Sequence, residues 1–299
     1  MLPVNSSLYM PATTELTADA RLAWLSATVM GILLLNHLVM AVMWMPGVAT
    51  IIVSLVLICI ATFLLQPYSS HWPFRLFLGV LIVICLGTPT EGWDSRSIWL
   101  FHAKRIYVDA SLFAQFDDYA PWSHNDYPAF VPAIAAAIGA TLGGWNEIAP
   151  KLSSVLALSP AVLLIASVVR GRDAQLVACL LFIVFGWTHL VDGYMDAVLG
   201  LQLGAAMLGI AVLVERAQHA VSPADPSVAW AVCCLLVAMP LVKNEGLPVA
   251  LLALLIAWLF LVRMVPKGRP RGPQSWGWCS WLRRLHGVAQ RQYRGSGTR

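Results

Sequence analysis

The chain has little charge. Only 11% of its 299 residues are Asp, Glu, Lys or Arg, against about 25% in an average soluble domain. Hydrophobic residues reach 59%, and a water-soluble fold of this length has no means of solvating so apolar a surface. Soluble-enzyme signatures are absent too. There is no GxxxxGK[ST] phosphate loop, no GxGxxG fingerprint, no HExxH zinc site and no GxSxG nucleophile elbow. The six cysteines show no metal-ligand spacing, and five of them, Cys59, Cys85, Cys179, Cys233 and Cys234, sit in apolar runs where Cys packs as a small hydrophobe. Nucleic-acid binding has no support in the distribution of basic residues.

Long apolar runs are what the chain has instead. They fall at about 22–45, 48–66, 74–89, 128–144, 151–169, 175–191, 196–214, 228–242 and 247–264. Most approach the length of about 20 residues that crosses a hydrocarbon core of about 30 Å. The expected fold is therefore an all-α integral membrane protein, a polytopic helical bundle of about 8–9 transmembrane segments. The first run is longer than a signal-peptide core and lacks a cleavage site, so it reads as a retained helix. Three regions follow: an N-terminal segment 1–21, a membrane domain 22–264, and a basic tail 265–299, whose Trp281–Leu285 either lies on the membrane surface or belongs to a disordered segment held near anionic lipid.

The tail sets the expected orientation. From Arg263 to Arg299 there are nine Lys or Arg residues and no acids, which places this end in the cytoplasm by the positive-inside rule. Counting back, 128–144 must not cross if the long loop at about 90–127 is to lie outside. That segment starts at Pro128, contains Pro132 and ends at Gly143–Gly144, which suits a broken or re-entrant helix buried in protein. With this parity the inner side carries 14 basic and 5 acidic residues, and the outer side 5 basic and 10 acidic. Both termini are then cytoplasmic, and a bacterial inner membrane is the expected location.

The loop concentrates charge and aromatics: EGWDSRSIWLFHAKRIYVDASLFAQFDDYAPWSHNDYP. Ser95 to Tyr107 reads as an interfacial helix, with Ile98, Trp99, Phe101, Ile106 and Tyr107 facing lipid or the bundle. Asp94 opens it, either as a plain N-cap or as a general base held rigidly at that cap. Lys104 and Arg105, with Arg96, are either snorkelling cations or contacts for a lipid-linked phosphate. His124, Asp126 and Tyr127 form a polar turn ahead of Pro128. On the same outer side fall Asp192 and Asp196 in VDGYMDAVLG, and Lys243 and Glu245 in LVKNEGLP. Charges this close to membrane depth are costly and mark candidate sites, although a Lys–Glu pair can simply fix a turn.

The ordered set EGWDSRSIWLFHAKRIY, HNDYP, GYMDAVLG and KNEG resembles the GT-C class of polyprenyl-phosphate-sugar glycosyltransferases over roughly residues 75–262. It is most similar to the protein mannosyltransferases, aminoarabinose transferases and Rgt-type enzymes. The resemblance implies an inverting transfer of sugar from a polyprenyl phosphate to an acceptor hydroxyl on a lipid, glycan or protein. Carried over by position, Asp94 matches the loop acid, with Glu91 three residues earlier. Arg96, Lys104 and Arg105 match donor-phosphate contacts. His124, Asp126, Tyr127, Asp196, Lys243 and Glu245 match substrate-binding positions. No cofactor is implied, and two carboxylates alone leave a divalent metal open. Three apolar segments precede the loop here instead of one, no second acid adjoins Asp94, and the chain is shorter than its counterparts, as in a truncated or inactive copy. A polytopic transporter or flippase-like protein is the alternative. Transporters place ionisable residues at the midplane and often show repeats, whereas here the charges gather at one face.

Overall fold

A computed structural model describes residues 19–66, 70–114, 120–218 and 225–264. The cytoplasmic assignments of residues 1–18 and of the basic tail, and the surface placement of Trp281–Leu285, lie outside the described residues. Within them the chain is all-helical: α1 (Ala20–Val42), α2 (Pro46–Leu65), α3 (Trp72–Gly87), α4 (Leu100–Asp109), α5 (Phe130–Thr141), α6 (Leu152–Val168), α7 (Arg172–Asp192), α8 (Met195–Gln218), α9 (Ser227–Val242) and α10 (Gly246–Met264). Four stretches are long and apolar enough to cross a membrane: Ala20–Val42, Pro46–Leu65, Ala149–Val168 and Met195–Ala217. Trp72–Gly87, Phe130–Thr141, Ser227–Val242 and Gly246–Phe260 are shorter apolar helices.

Local chemistry sets the boundaries. Asp19 caps α1 by accepting from the Arg21 amide at 3.0 Å, and Pro46 and Pro73 open α2 and α3, where a missing N–H costs nothing. The α7–α8 corner needs Gly193, whose φ of +83° is left-handed.

The centre of the bundle is α6, buried from Ser153 to Val168. It packs on α1, α3, α5 and α8. Pro160 lies inside it, and proline leaves the carbonyl four residues earlier without its helical partner. That carbonyl belongs to Leu156, and the neighbouring Ser159 hydroxyl donates to it at 2.8 Å. From α1, Ser26 donates to the Pro160 carbonyl at 2.7 Å. A backbone group freed by proline is thus satisfied by protein, as a dry interior requires.

The two ends of the bundle differ. At the lower end the Asp19 amide donates to the Ser167 carbonyl at 2.7 Å, Asp19 lies 3.5 Å from His71, and Gln175 meets His71 at 3.3 Å. Burial lowers the His71 pKa against the opposing pull of Asp19. Arg170 and Arg172 sit at this end, beside α7's start. At the upper end Lys151 donates to the Thr88 carbonyl, and Lys243 meets Asp196. Tyr127 lies under Lys243, so the chain on either side of α5, at Tyr127 and at Lys151, lies at the upper end. The 12 residues of α5 span about 18 Å. Phe130 to Gly139 are all buried. Pro132 falls in the first turn of α5, so the helix is short but unbroken.

The loop helix is present over the predicted span, with one addition. Ser95–Trp99 forms a π-helical turn that runs into α4. Ile98, Trp99 and Ile106 are buried and so pack on the bundle instead of lipid.

Gly246 fixes how α10 leaves α9, since a Cβ there would lie 1.9 Å from the Met239 carbonyl oxygen. Gly246→Ala should therefore destabilise the fold by at least about 1–3 kcal/mol, measured by reversible unfolding in mixed micelles; wild-type stability in that variant would contradict the close α9–α10 packing.

Candidate functional site

A carboxylate latches the loop to the bundle. Asp192, at the end of α7, accepts from the Glu91 amide at 3.0 Å, and its backbone carbonyl accepts from the Ser95 hydroxyl. A Cβ on Gly92 would lie 2.3 Å from Asp192 Oδ2 and 2.5 Å from the Tyr194 ring, so a side chain there would push both away from the loop. Asp192 is thereby committed to positioning. The Glu91 side chain stays exposed.

Downstream, the strap 120–127 folds against the α9–α10 turn. A 3₁₀ turn, Pro121–Ser123, ends at His124, which is left-handed with φ of 55°. His124 stacks on Tyr127 with ring centroids 4.9 Å apart, and its Nδ1 is 4.0 Å from Asp126. Tyr127 also stacks on Trp99 at 5.3 Å. Asn244 donates to Asp126 Oδ2 at 3.0 Å. Lys243 donates to Asp196 at 2.7 Å, lies 3.8 Å from Glu245, and sits 5.7 Å over the Tyr127 ring. The six residues read as substrate-binding, spread over more than 120 positions, therefore form one cluster. It holds three carboxylates and one lysine. Burial opposes the Lys243 charge, but the Asp196 hydrogen bond and the charges of Asp196 and Glu245 outweigh it and raise its pKa above 10.5. Burial also raises the Tyr127 phenol, against the pull of Lys243.

The basic residues divide. Arg96 and Lys104 line a groove of about 790 Å³, walled by Leu86, Thr88, Thr90, Phe101 and Ile148. The Arg96 guanidinium makes no hydrogen bond or ion pair among the described residues, whereas Lys104 meets Glu147 at 3.2 Å in an exposed pair. Arg105 is held otherwise: it pairs with Asp109 at 2.8 Å on its own helix and reaches the Ala114 carbonyl. That geometry turns it to closing α4 and not into the groove.

Asp94 is not the N-cap its sequence position suggests. It is already α-helical, with φ −57° and ψ −43°, and makes no capping bond. The π turn begins after it, so the helix runs through Asp94 instead of starting there. Half-buried, it has no hydrogen-bond or ionic partner among the described residues.

Several residues of the site gave little sequence signal. Lys151 reads as an ordinary cation flanking an apolar run, yet it is buried and donates to Thr88, in the wall of the cationic groove. His102 is fully buried, with Nε2 3.1 Å from the Ser123 hydroxyl. Asn244 is marked only by its place in the KNEG turn. Among the described residues no group of three His, Cys, Asp or Glu is arranged to hold a metal.

No family model, no curated protein and no solved structure matches this chain.

His102 joins α4 to the strap, and burial lowers its pKa from 6.5 to about 4 against the opposing pull of a hydrogen bond to Asn125, which accepts. The unfolded chain then binds the extra proton first. Stability is full above pH 6.5 and declines as pH falls toward 4, by up to about 3 kcal/mol. His102→Gln, which keeps a polar partner for Ser123, should lack that acid slope in melts from pH 7 to 4; an unchanged slope would clear His102 of the effect.

Proposed function

We propose that this chain is a polytopic membrane glycosyltransferase that moves a sugar from a polyprenyl-phosphate donor to an acceptor hydroxyl. Eight helices, α1–α3 and α6–α10, cross the bilayer, α5 re-enters from the upper side, and α4 lies at the outer interface. The arrangement of ends supports this reading: α1 starts at the lower end, while Tyr127 before α5 and Lys151 after it both lie at the upper end.

Two observations support the chemistry. Arg96 and Lys104, the latter paired with Glu147, put two cations on the groove. The uncommitted carboxylate of Asp94 stands two residues before Arg96, outside the groove's lining, where it faces the acceptor side and not the phosphate. In a single displacement the acceptor oxygen bonds to the anomeric carbon as the bond from that carbon to the phosphate oxygen breaks. The electron pair leaves with the polyprenyl phosphate, and the acceptor proton passes to Asp94. Arg96 and Lys104 stabilise charge growing on the departing phosphate. Lys151 adds positive potential behind the Thr88 wall. The Asp126–Asp196–Lys243–Glu245 cluster, which is acidic overall, suits hydroxyl donors better than phosphate.

In proteoliposomes given a labelled polyprenyl-phosphate sugar, Asp94→Asn should lower transfer about 10²- to 10⁴-fold with insertion and melting unchanged. Arg96→Gln should weaken donor binding more than turnover. Wild-type transfer by Asp94→Asn would remove Asp94 as the base.

A further inference from the structure

A second groove, of about 620 Å³, runs between α7 and α8. Its walls are apolar: Ile165, Val169, Leu181, Phe182 and Leu208 line it. Its floor is cut by Gly200 and Gly204, and a Cβ added at either would meet nothing within 4 Å. The groove is therefore open space along α8, left by missing side chains. Only its upper end is polar, where Asp196 and His189 line it. Asp196 is also the residue that holds Lys243, so the groove ends on the acidic cluster.

From Asp196 to Leu208 is 12 residues of α8, about 18 Å. The lining continues to Ile165 and Val169, which flank Ser167 at the lower end. The length and lining suit one extended hydrocarbon chain that enters from the upper end. The head of that molecule would meet Asp196, Glu245 and Asp126 with Lys243 already neutralised between two of them. Carboxylates accept hydrogen bonds and repel anions, so the fitting head donates hydrogen bonds and carries no negative charge.

We propose that the α7–α8 groove binds the acceptor, and that the acceptor is a lipid with a hydroxyl-rich, non-anionic head. The word acceptor rests on the transferase reading; the lipid site rests on the groove itself. A donor phosphate fits the Arg96–Lys104 groove instead, so the two substrates are sorted by charge. Gly200 and Gly204 also have the spacing of close helix–helix contacts, which makes a second copy of the chain the competing occupant.

The test uses the full chain in phosphatidylglycerol vesicles holding a trace of glucosyl-diacylglycerol with a photoreactive acyl chain. Labelling should map to α7 and α8. Excess unlabelled glucosyl-diacylglycerol should compete, and the bulk anionic lipid should not. Gly200→Leu with Gly204→Leu should cut labelling about tenfold, the effect of excluding roughly two methylenes, while Gly31→Leu, another glycine with open space around it, should leave it intact. Labelling spread evenly over all helices would overturn the proposal. So would labelling unmoved by the leucine pair, or a leucine pair that converts a cross-linkable dimer to monomer without changing labelling. Groove labelling with no sugar transfer from any donor would sink the transferase reading alone. Transfer to a soluble acceptor with an unlabelled groove would sink this inference alone.

Discussion

The pair between Lys243 and Asp196 holds the upper end of the bundle together. It is 2.7 Å long, and the lysine is only 13% exposed while its partner is 57% exposed. Such a pair is worth up to about 1 kcal/mol by itself. Its importance is topological. Asp196 stands on α8, Lys243 follows α9, and Tyr127, under the ammonium, belongs to the strap before α5. One cation thus gathers three distant segments, and Asn244 beside it ties down Asp126. Without the lysine, three neighbouring carboxylates would lose the one cation between them and repel one another.

The same logic governs the interior. A helix core without water leaves no partner for a stray polar group, so α6 answers its own proline with Ser159, and Ser26 adds a contact from α1 to the Pro160 carbonyl. Gln202 from α8 likewise donates to the Ala157 carbonyl of α6 at 3.1 Å. Charge is confined to the ends, and at the upper end it separates into two fields. One groove carries Arg96 and Lys104; the other ends on carboxylates. The separation follows from α4 and the strap meeting α5 side by side, joined by the Trp99–Tyr127 stack.

Much of this was legible in the sequence. Apolar runs gave all the long helices to within a few residues, because length and hydrophobicity suffice where one face meets the next. The short run after Pro128 is expected from its prolines and glycines not to cross; it forms one short buried helix, and the residues on either side of it, Tyr127 and Lys151, both lie at the upper end. The clustering of Asp126, Tyr127, Asp196, Lys243 and Glu245 was expected only as a shared face; their mutual contacts depend on helix rotation, which near-uniformly apolar helices do not encode. The cap expected at Asp94 is not made, because the helix already runs through Trp93 and Asp94 before the π turn. Arg105 pairs with Asp109, one turn later on its own helix, a contact the loop sequence does not single out. Lys151 stayed hidden because its burial comes from α5 folding back, a tertiary event.

The central claim is that the loop strap and the α9–α10 turn form one site although 118 residues separate Asp126 from Asn244. Oxidative cross-linking of an Asp126→Cys, Asn244→Cys pair, in a chain with the six native cysteines replaced, tests it most directly. A rapid intramolecular disulfide in membranes, absent when Asn244→Cys is paired with a cysteine in place of Trp24 near the opposite end, is the result this account predicts. Failure of the 126–244 pair to cross-link, in protein that inserts and melts normally, would contradict it.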